Sequence, residues 1–248
     1  MANLVRPSQS TVVGTFTLAG KTPAVPGVGP TQYMVRRTTQ VDGYEISPPA
    51  AAIVLPAVRP TGDDFSGTAR RVAKISIANG DVEEFDDLQD LIASLPSDEE
   101  MIALEIPDTK NSNRVEKERR NVSVRAFIYA ASRENDNDFH VIIGRDPEQP
   151  RRFMNVEVSG LPPANHHDRP TLETVRDMFK TFFQNQPEKL PGTSYDFYEP
   201  PIPVLIGGSI FFDVTHATGG KPGPPDLRDD IPTIWEIHPV SSLEFEPH

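Results

Sequence analysis

Cysteine is absent from this 248-residue chain, which excludes a disulfide framework, a thiolate metal site and a cysteine nucleophile. Tryptophan occurs once, at Trp235. There is no run of 18 or more apolar residues, so no membrane-spanning helix is expected. The opening MANLVRPSQSTVVGTF does not show the charged, then apolar, then small-residue order of a secretion signal. A soluble, cytoplasmic protein is the expectation. Positive charge is also scarce: 24 Lys and Arg face 36 Asp and Glu, for a net charge of −12. That field opposes attraction to nucleic-acid phosphates and to anionic lipid. Apolar residues make up 37% of the chain, below the usual globular share.

What the chain has in quantity is proline (26) and glycine (16), which predict many connections and few long helices. In the first half, Val12 to Leu18 and Tyr33 to Thr39 have strand character, separated and followed by the proline-rich stretches 20–30 and 47–67. Within Val72 to Phe85 the alternation of Ile75 and Ile77 before Asn79-Gly80 predicts a β-hairpin. Leu88, Leu91, Ile92 and Leu95 share one face of a short helix ending at Pro96, and Ser97 with Glu100 forms a capping box. The segment 108–121 carries Lys110, Arg114, Lys117, Arg119 and Arg120 without an interleaved aromatic, and reads as a solvated linker or strand entry.

The second half has a legible order. Val122 to Arg133, Phe139 to Gly144 and Phe153 to Ser159 are strand candidates. Thr171 to Gln184 follows, with Leu172, Val175, Met178, Phe179, Phe182 and Phe183 at helical spacing and Asp168 and Pro170 at its start. Val204 to His216 predicts a strand bent at Gly207-Gly208, and Ile234 to Phe245 a last strand interrupted near Pro239. Three strands, one amphipathic helix and two more strands is the order of an OB-fold, a five-stranded barrel. The expected fold is therefore mainly β: an OB-like barrel over 119–248, preceded by a smaller, proline-punctuated α+β region over 1–118.

Asp138-Phe139-His140-Val141-Ile142, Phe211-Phe212-Asp213 with His216, and Trp235-Glu236-Ile237-His238-Pro239-Val240 together resemble a widespread set of uncharacterised bacterial proteins. Those proteins carry a D-x-H-hydrophobic strand and a closing E-[I/L]-H-P-V segment. The resemblance covers about residues 121 to 246 and implies an OB-like barrel with adjacent strand ends, without implying a substrate.

Candidate chemistry centres on the histidines. His140, His216 and His238 lie on three predicted strands, with Asp213 and Glu236 close by, and such nitrogen and oxygen donors can hold a divalent metal ion. Strand alternation would put Asp213 and His216 on opposite faces. Structural histidines bonded to buried carbonyls are the competing explanation. The adjacent His166-His167 pair is a weaker metal candidate. No G-x-S-x-G elbow occurs, and Gly219-Gly220-Lys221 lacks the rest of a phosphate loop. Arg125, Arg145, Arg151 and Arg152 could serve phosphoryl transfer beside Asp138 or Asp213. Arg125, Phe127, Tyr129, His140 and Trp235 are the candidate binding residues, the aromatics able to stack on a base or sugar.

Charge, element order and the lack of a catalytic motif favour a non-enzymatic binding or assembly module for a basic protein partner, with no cofactor. The alternative is a metal-dependent hydrolase of phosphodiester or related bonds, using a divalent cation at the histidines. A second alternative is an OB-fold binding single-stranded nucleic acid.

Overall fold

A computed structural model describes residues 4–7, 9–17, 31–41, 62–183 and 190–245. The stretches 20–30 and 47–61, and His248, lie outside the described residues. In chain order the elements are β1 Ser10–Thr17, β2 Gln32–Thr38, α1 Arg71–Lys74, β3 Val82–Phe85, α2 Leu88–Ala93, α3 Asp98–Ile102, β4 Asn121–Arg133, β5 Phe139–Gly144, β6 Phe153–Val158, α4 Arg169–Phe183, β7 Asp196–Phe212, α5 His216–Gly219, α6 Pro225–Arg228 and β8 Trp235–Phe245. No helix among the described residues is long and apolar enough to cross a membrane.

The chain is mainly β, and among the described residues eight strands form one mixed sheet in the order β1-β2-β7-β8-β6-β5-β4-β3. The long β7 also pairs with β4, from Asn121 opposite Ser209 to Ala131 opposite Asp196. Hydrogen-bonded neighbours thus run β4 to β5 to β6 to β8 to β7 and back to β4; β6 and β8 are parallel and the other four pairs antiparallel. β2 and β1 extend the sheet from β7, and β3 lies parallel to β4. Strands from both sides of the expected 118/119 boundary therefore share one hydrogen-bonded sheet.

Period-two alternation decides which side chains meet. Phe139, Val141 and Ile143 of β5, Met154, Val156 and Val158 of β6, and Trp235 and Ile237 of β8 join the main apolar core with Val122, Val124, Ala126 and Ile128 of β4. α4 packs on β8 and β6. It buries Leu172, Val175 and Phe179, the last against Phe139 at a ring separation of 5.0 Å. Met178, expected on that face, is 41% exposed, because the face is centred on Val175 and Phe179 and takes in Arg176 instead.

Two further expectations are corrected. The segment after Arg71 is not a hairpin: α1 replaces its first strand, and β3 pairs in parallel with β4. Its backbone groups find other partners, the Ala73 and Ser76 carbonyls accepting from Arg114 and the Ala78 N–H donating to Ser209 Oγ. β8 is not interrupted at Pro239 but runs through it. The irregularity expected near Pro239 is a register shift instead: Gly208 stands opposite Val240 and Ile210 opposite Ile237, so β8 carries one extra residue there, and another between Val240 and Ser242. A Cβ on Gly208 would lie 2.1 Å from the Pro239 carbonyl oxygen, so only glycine permits this approach.

Candidate metal centre

On β5, β6 and β8 several of the side chains that alternate with the core are polar or ionisable. His140, Asn155, Glu157, Glu236 and His238 project from the other face of these strands. Register brings them together: His140 stands opposite Glu157, and Asn155 opposite Glu236. Asp138 enters from the start of β5, and Asp213 and His216 from the chain just after β7. All are buried.

The chain from 62 to 80 covers this face. Phe65 N–H donates to the Leu161 carbonyl, and a Cβ on Gly160 would lie 2.7 Å from Phe65 Cα, so the two backbones touch. Ser159 Oγ donates to the Lys74 carbonyl at 3.2 Å, which seats α1 on the end of β6. Arg70, in the left-handed region at φ 43°, is held by a two-pronged pair with Glu118 (2.7 and 2.6 Å) and by the Phe212 and Asn113 carbonyls. Arg114 donates to the carbonyls of Ile210, Ala73, Ser76 and His238. The segment 108–121, expected to be a solvated linker or strand entry, thus contributes three buried residues, Arg114, Glu118 and Asn121, the last of which opens β4. The reason is that the cover and β7 present carbonyls that only a multi-donor side chain can satisfy.

Under this cover, apart from the Nε atoms of Arg70 and Arg114, the unpartnered polar atoms gather at one place. Asp138 Oδ2, Asn155 Oδ1, Glu157 Oε2, Glu236 Oε2 and both ring nitrogens of His238 are buried without a hydrogen-bond partner. Such orphans each cost about 1–3 kcal/mol, more when charged. The contacts among them make no hydrogen bond: His238 Nε2 to Asp138 Oδ2 is 3.4 Å, His238 Nδ1 to Glu157 Oε2 is 3.4 Å, and to Glu236 Oε2 it is 3.6 Å. Two ligands of one tetrahedral ion at about 2.1 Å stand about 3.4 Å apart; Asp138 meets that spacing at His238 Nε2 and Glu157 at Nδ1, so an ion held through either nitrogen matches it with one of the two carboxylates. Asp138, Glu157 and His238 form one group whose donor atoms lie within 4.8 Å of one another, and Asp213, His216 and Glu236 form another.

Charge tells the same story. Lys74 is the ammonium among these carboxylates, its Nζ 3.5 Å from Asp213 Oδ2. Against its burial, Asp213, Glu157, Glu236 and Asp136 hold Lys74 well above its ordinary pKa. Burial, reinforced by Asp136 and Glu157, pushes the Asp138 carboxyl well above the carboxylate range. Burial with Glu157 and Asp213 does the same to Glu236. Glu157 moves the other way: despite its burial, His140 and Lys74 hold it well below. Asp213 is lowered to about 2 against burial by Lys74, His216 and the Thr215 hydrogen bonds. Burial, aided by Lys74 and Arg114, takes His238 down to about 3, so at neutral pH it is an uncharged imidazole, the form that ligates metals.

Of the residues singled out from sequence, His140, His216, His238, Asp213 and Glu236 do converge here. His140 touches the cluster through Glu157, Nε2 to Oε1 at 2.7 Å, with Glu134 3.7 Å from its other nitrogen. Asp213 and His216 are not on opposite faces, because β7 ends at Phe212 and alternation no longer governs them. The candidate stacking residues do not form a platform. Trp235 is buried in the main core, its Nε1–H donating to the Pro96 carbonyl. Tyr129 is buried in a second apolar cluster with Phe127 half-buried against it, and Arg125 lies at the surface near Asp86. Arg145 is paired with Asp87, and Arg151 with Asp230. His166 and His167 meet Asp168, but Asp168 also accepts from Ile77 N–H and so ties the cover to the start of α4.

Glu157, Asn155 and Lys74 were not singled out. In FMNVEVS the polar residues alternate with apolar ones, the pattern of a strand with one wet face. Only the cover converts that wet face into a buried one. Comparisons of the chain with protein-family profiles, curated proteins and solved structures find no match.

Proposed function

We propose that this protein is a metal-dependent hydrolase built on an OB-like barrel, with a divalent cation of the zinc or manganese class held by Asp138, Glu157 and His238. The barrel reading is supported by the closed cycle of pairings among β4, β5, β6, β8 and β7, with the parallel β6–β8 pair and α4 placed between β6 and β7. The observation that carries the metal reading is the set of buried, partnerless atoms on Asp138, Glu157, Glu236 and His238, spaced as ligands of an ion. Three protein ligands leave a fourth position for water, which the cation acidifies into a nucleophile. The Lys74 ammonium beside the centre favours an anionic substrate, a phosphodiester or related ester.

The same observation argues against the adaptor expected from net charge, since a non-enzymatic docking module has no use for uncompensated buried carboxylates. The resemblance to the uncharacterised bacterial proteins fits this proposal. Its two clearest segments contribute Asp138, His140, Glu236 and His238, which meet at this centre. One observation favours a second reading, a structural ion that fastens the 62–80 cover to the sheet: Asp138, Glu236 and His238 are each 0% exposed.

Metal analysis of the purified chain, combined with hydrolysis of bis(p-nitrophenyl) phosphate, tests both. Stoichiometric metal, with turnover that Asp138→Asn abolishes while cooperative unfolding persists, supports the hydrolase. Metal without turnover, whose chelation lowers Tm, supports the structural ion. A chain that takes up neither zinc nor manganese after chelation and re-addition overturns both.

A further inference from the structure

We infer that the centre is binuclear: a second divalent cation binds Asp213, His216 and Glu236, with Glu236 the carboxylate shared between the two ions. This rests on the metal reading above and adds to it a second site.

The donor atoms of Asp213, His216 and Glu236 lie within 4.8 Å of one another, and all three residues are buried. Each is already oriented from behind. His216 Nδ1 stands 3.1 Å from the Gly220 carbonyl; as donor there it directs Nε2 away from that carbonyl, the usual arrangement for a metal-ligating imidazole. Asp213 Oδ1 accepts from both the N–H and the hydroxyl of Thr215, at 2.9 and 2.6 Å, and its Oδ2 is turned toward Lys74. Glu236 Oε1 accepts from Asn155 at 2.9 Å, while its Oε2 is fully buried and has no partner. Glu236 Oε2 also lies 3.6 Å from His238 of the first group, so one carboxylate reaches both.

Charge supports two ions over one. Asp138, Glu157, Asp213 and Glu236 are buried together with Lys74, and the half-buried Asp136 adds its charge to the same group. With all five ionised, as metal ligands must be, they outnumber the one ammonium by four charges, which two divalent ions cancel; without an ion, protons on Asp138 and Glu236 relieve part of that excess. Carboxylate-bridged ions about 3.5–4 Å apart are the arrangement that clamps the attacking and leaving oxygens of a phosphodiester in line. Water supplies the entering oxygen, the P–O bond to the leaving alkoxide breaks, and the alkoxide takes up the proton that water gives up.

Manganese is the probe. The chelated full-length chain, titrated with Mn²⁺ alone, is expected to bind two ions and to give an exchange-coupled electron paramagnetic resonance spectrum. His216→Ala and Asp213→Asn should each bind one ion and give the uncoupled six-line spectrum. A wild-type chain that binds a single, uncoupled ion, with His216→Ala unchanged from it, overturns the second site and leaves the first standing. A wild-type chain that binds no manganese or zinc overturns both. The wild-type spectrum decides the matter even if neither variant folds.

Discussion

Two buried polar networks lie side by side beneath the 62–80 cover, and they are built on opposite principles. In the first, Arg70, Glu118 and Arg114 are matched to one another and to a set of backbone carbonyls, and only the two Nε atoms lack an acceptor. In the second, Asp138, Glu157, Glu236 and His238 face one another across gaps of 3.4 to 3.6 Å with few donors between them. The first is complete in the folded chain and acts as a clamp. The second is incomplete, and that incompleteness is the observation on which the proposed metal site rests.

This contrast is broken most severely at the clamp. Arg114→Ala removes a donor from four carbonyls, of which Ala73 keeps the Ser76 N–H, and is expected to cost on the order of 3–5 kcal/mol in urea unfolding, with or without chelator. Glu118→Gln should cost a similar amount by leaving Arg70 uncompensated. The open network should respond in the opposite direction. Glu236→Gln is expected to leave the stability of the metal-free chain unchanged or to raise it by about 1 kcal/mol, a Tm gain of about 2–4 °C, while metal uptake falls. A loss of stability equal to that of the Arg114 variant in the metal-free chain would erase the distinction between the two networks.

A third ion cluster sharpens the comparison through pH. Asp63, at the start of the cover, meets Arg176 at 2.9 Å and Lys180 at 2.7 Å on α4. Burial alone would raise its pKa, but these two partners bring it below the ordinary value. A carboxylate lowered on folding stabilises above its unfolded pKa, and that contribution disappears as pH falls through its folded pKa. The stability difference between the wild type and Asp63→Asn should therefore be present at neutral pH and vanish in acid below the ordinary Asp range. The site is partly exposed, so the effect is smaller than those at the clamp. The mildest test concerns the stacking expectation. Trp235, the sole tryptophan, is 1% exposed, so its emission should be blue-shifted and unchanged on adding single-stranded DNA.

Much of the second half was legible because alternation and helical spacing are local signals. The three strands from Val122, the helix after Asp168 and the irregularity at Gly207-Gly208 all appear where those patterns put them. The misreadings share one cause. Val72 to Phe85 and the segment 108–121 were read from local composition, whereas their conformations answer to carbonyls and side chains more than 30 residues away, such as Ile210 for Arg114 and Ser209 for Ala78. Histidines stood out because they are rare and chemically versatile. Glu157 did not, because an acidic residue alternating along a strand reads as solvent-facing until something covers it.

The sequence by itself determined the strand-rich character, the one long amphipathic helix and the set of histidines and carboxylates, since each follows from spacing along the chain. Only the tertiary structure decided that Asp138, Glu157, Glu236, His238 and Lys74 share one buried compartment. The physical reason is that burial belongs to the cover and the sheet together. A carboxylate's cost in low dielectric, and so its claim on a cation, exists only once distant segments have excluded the water that would otherwise solvate it.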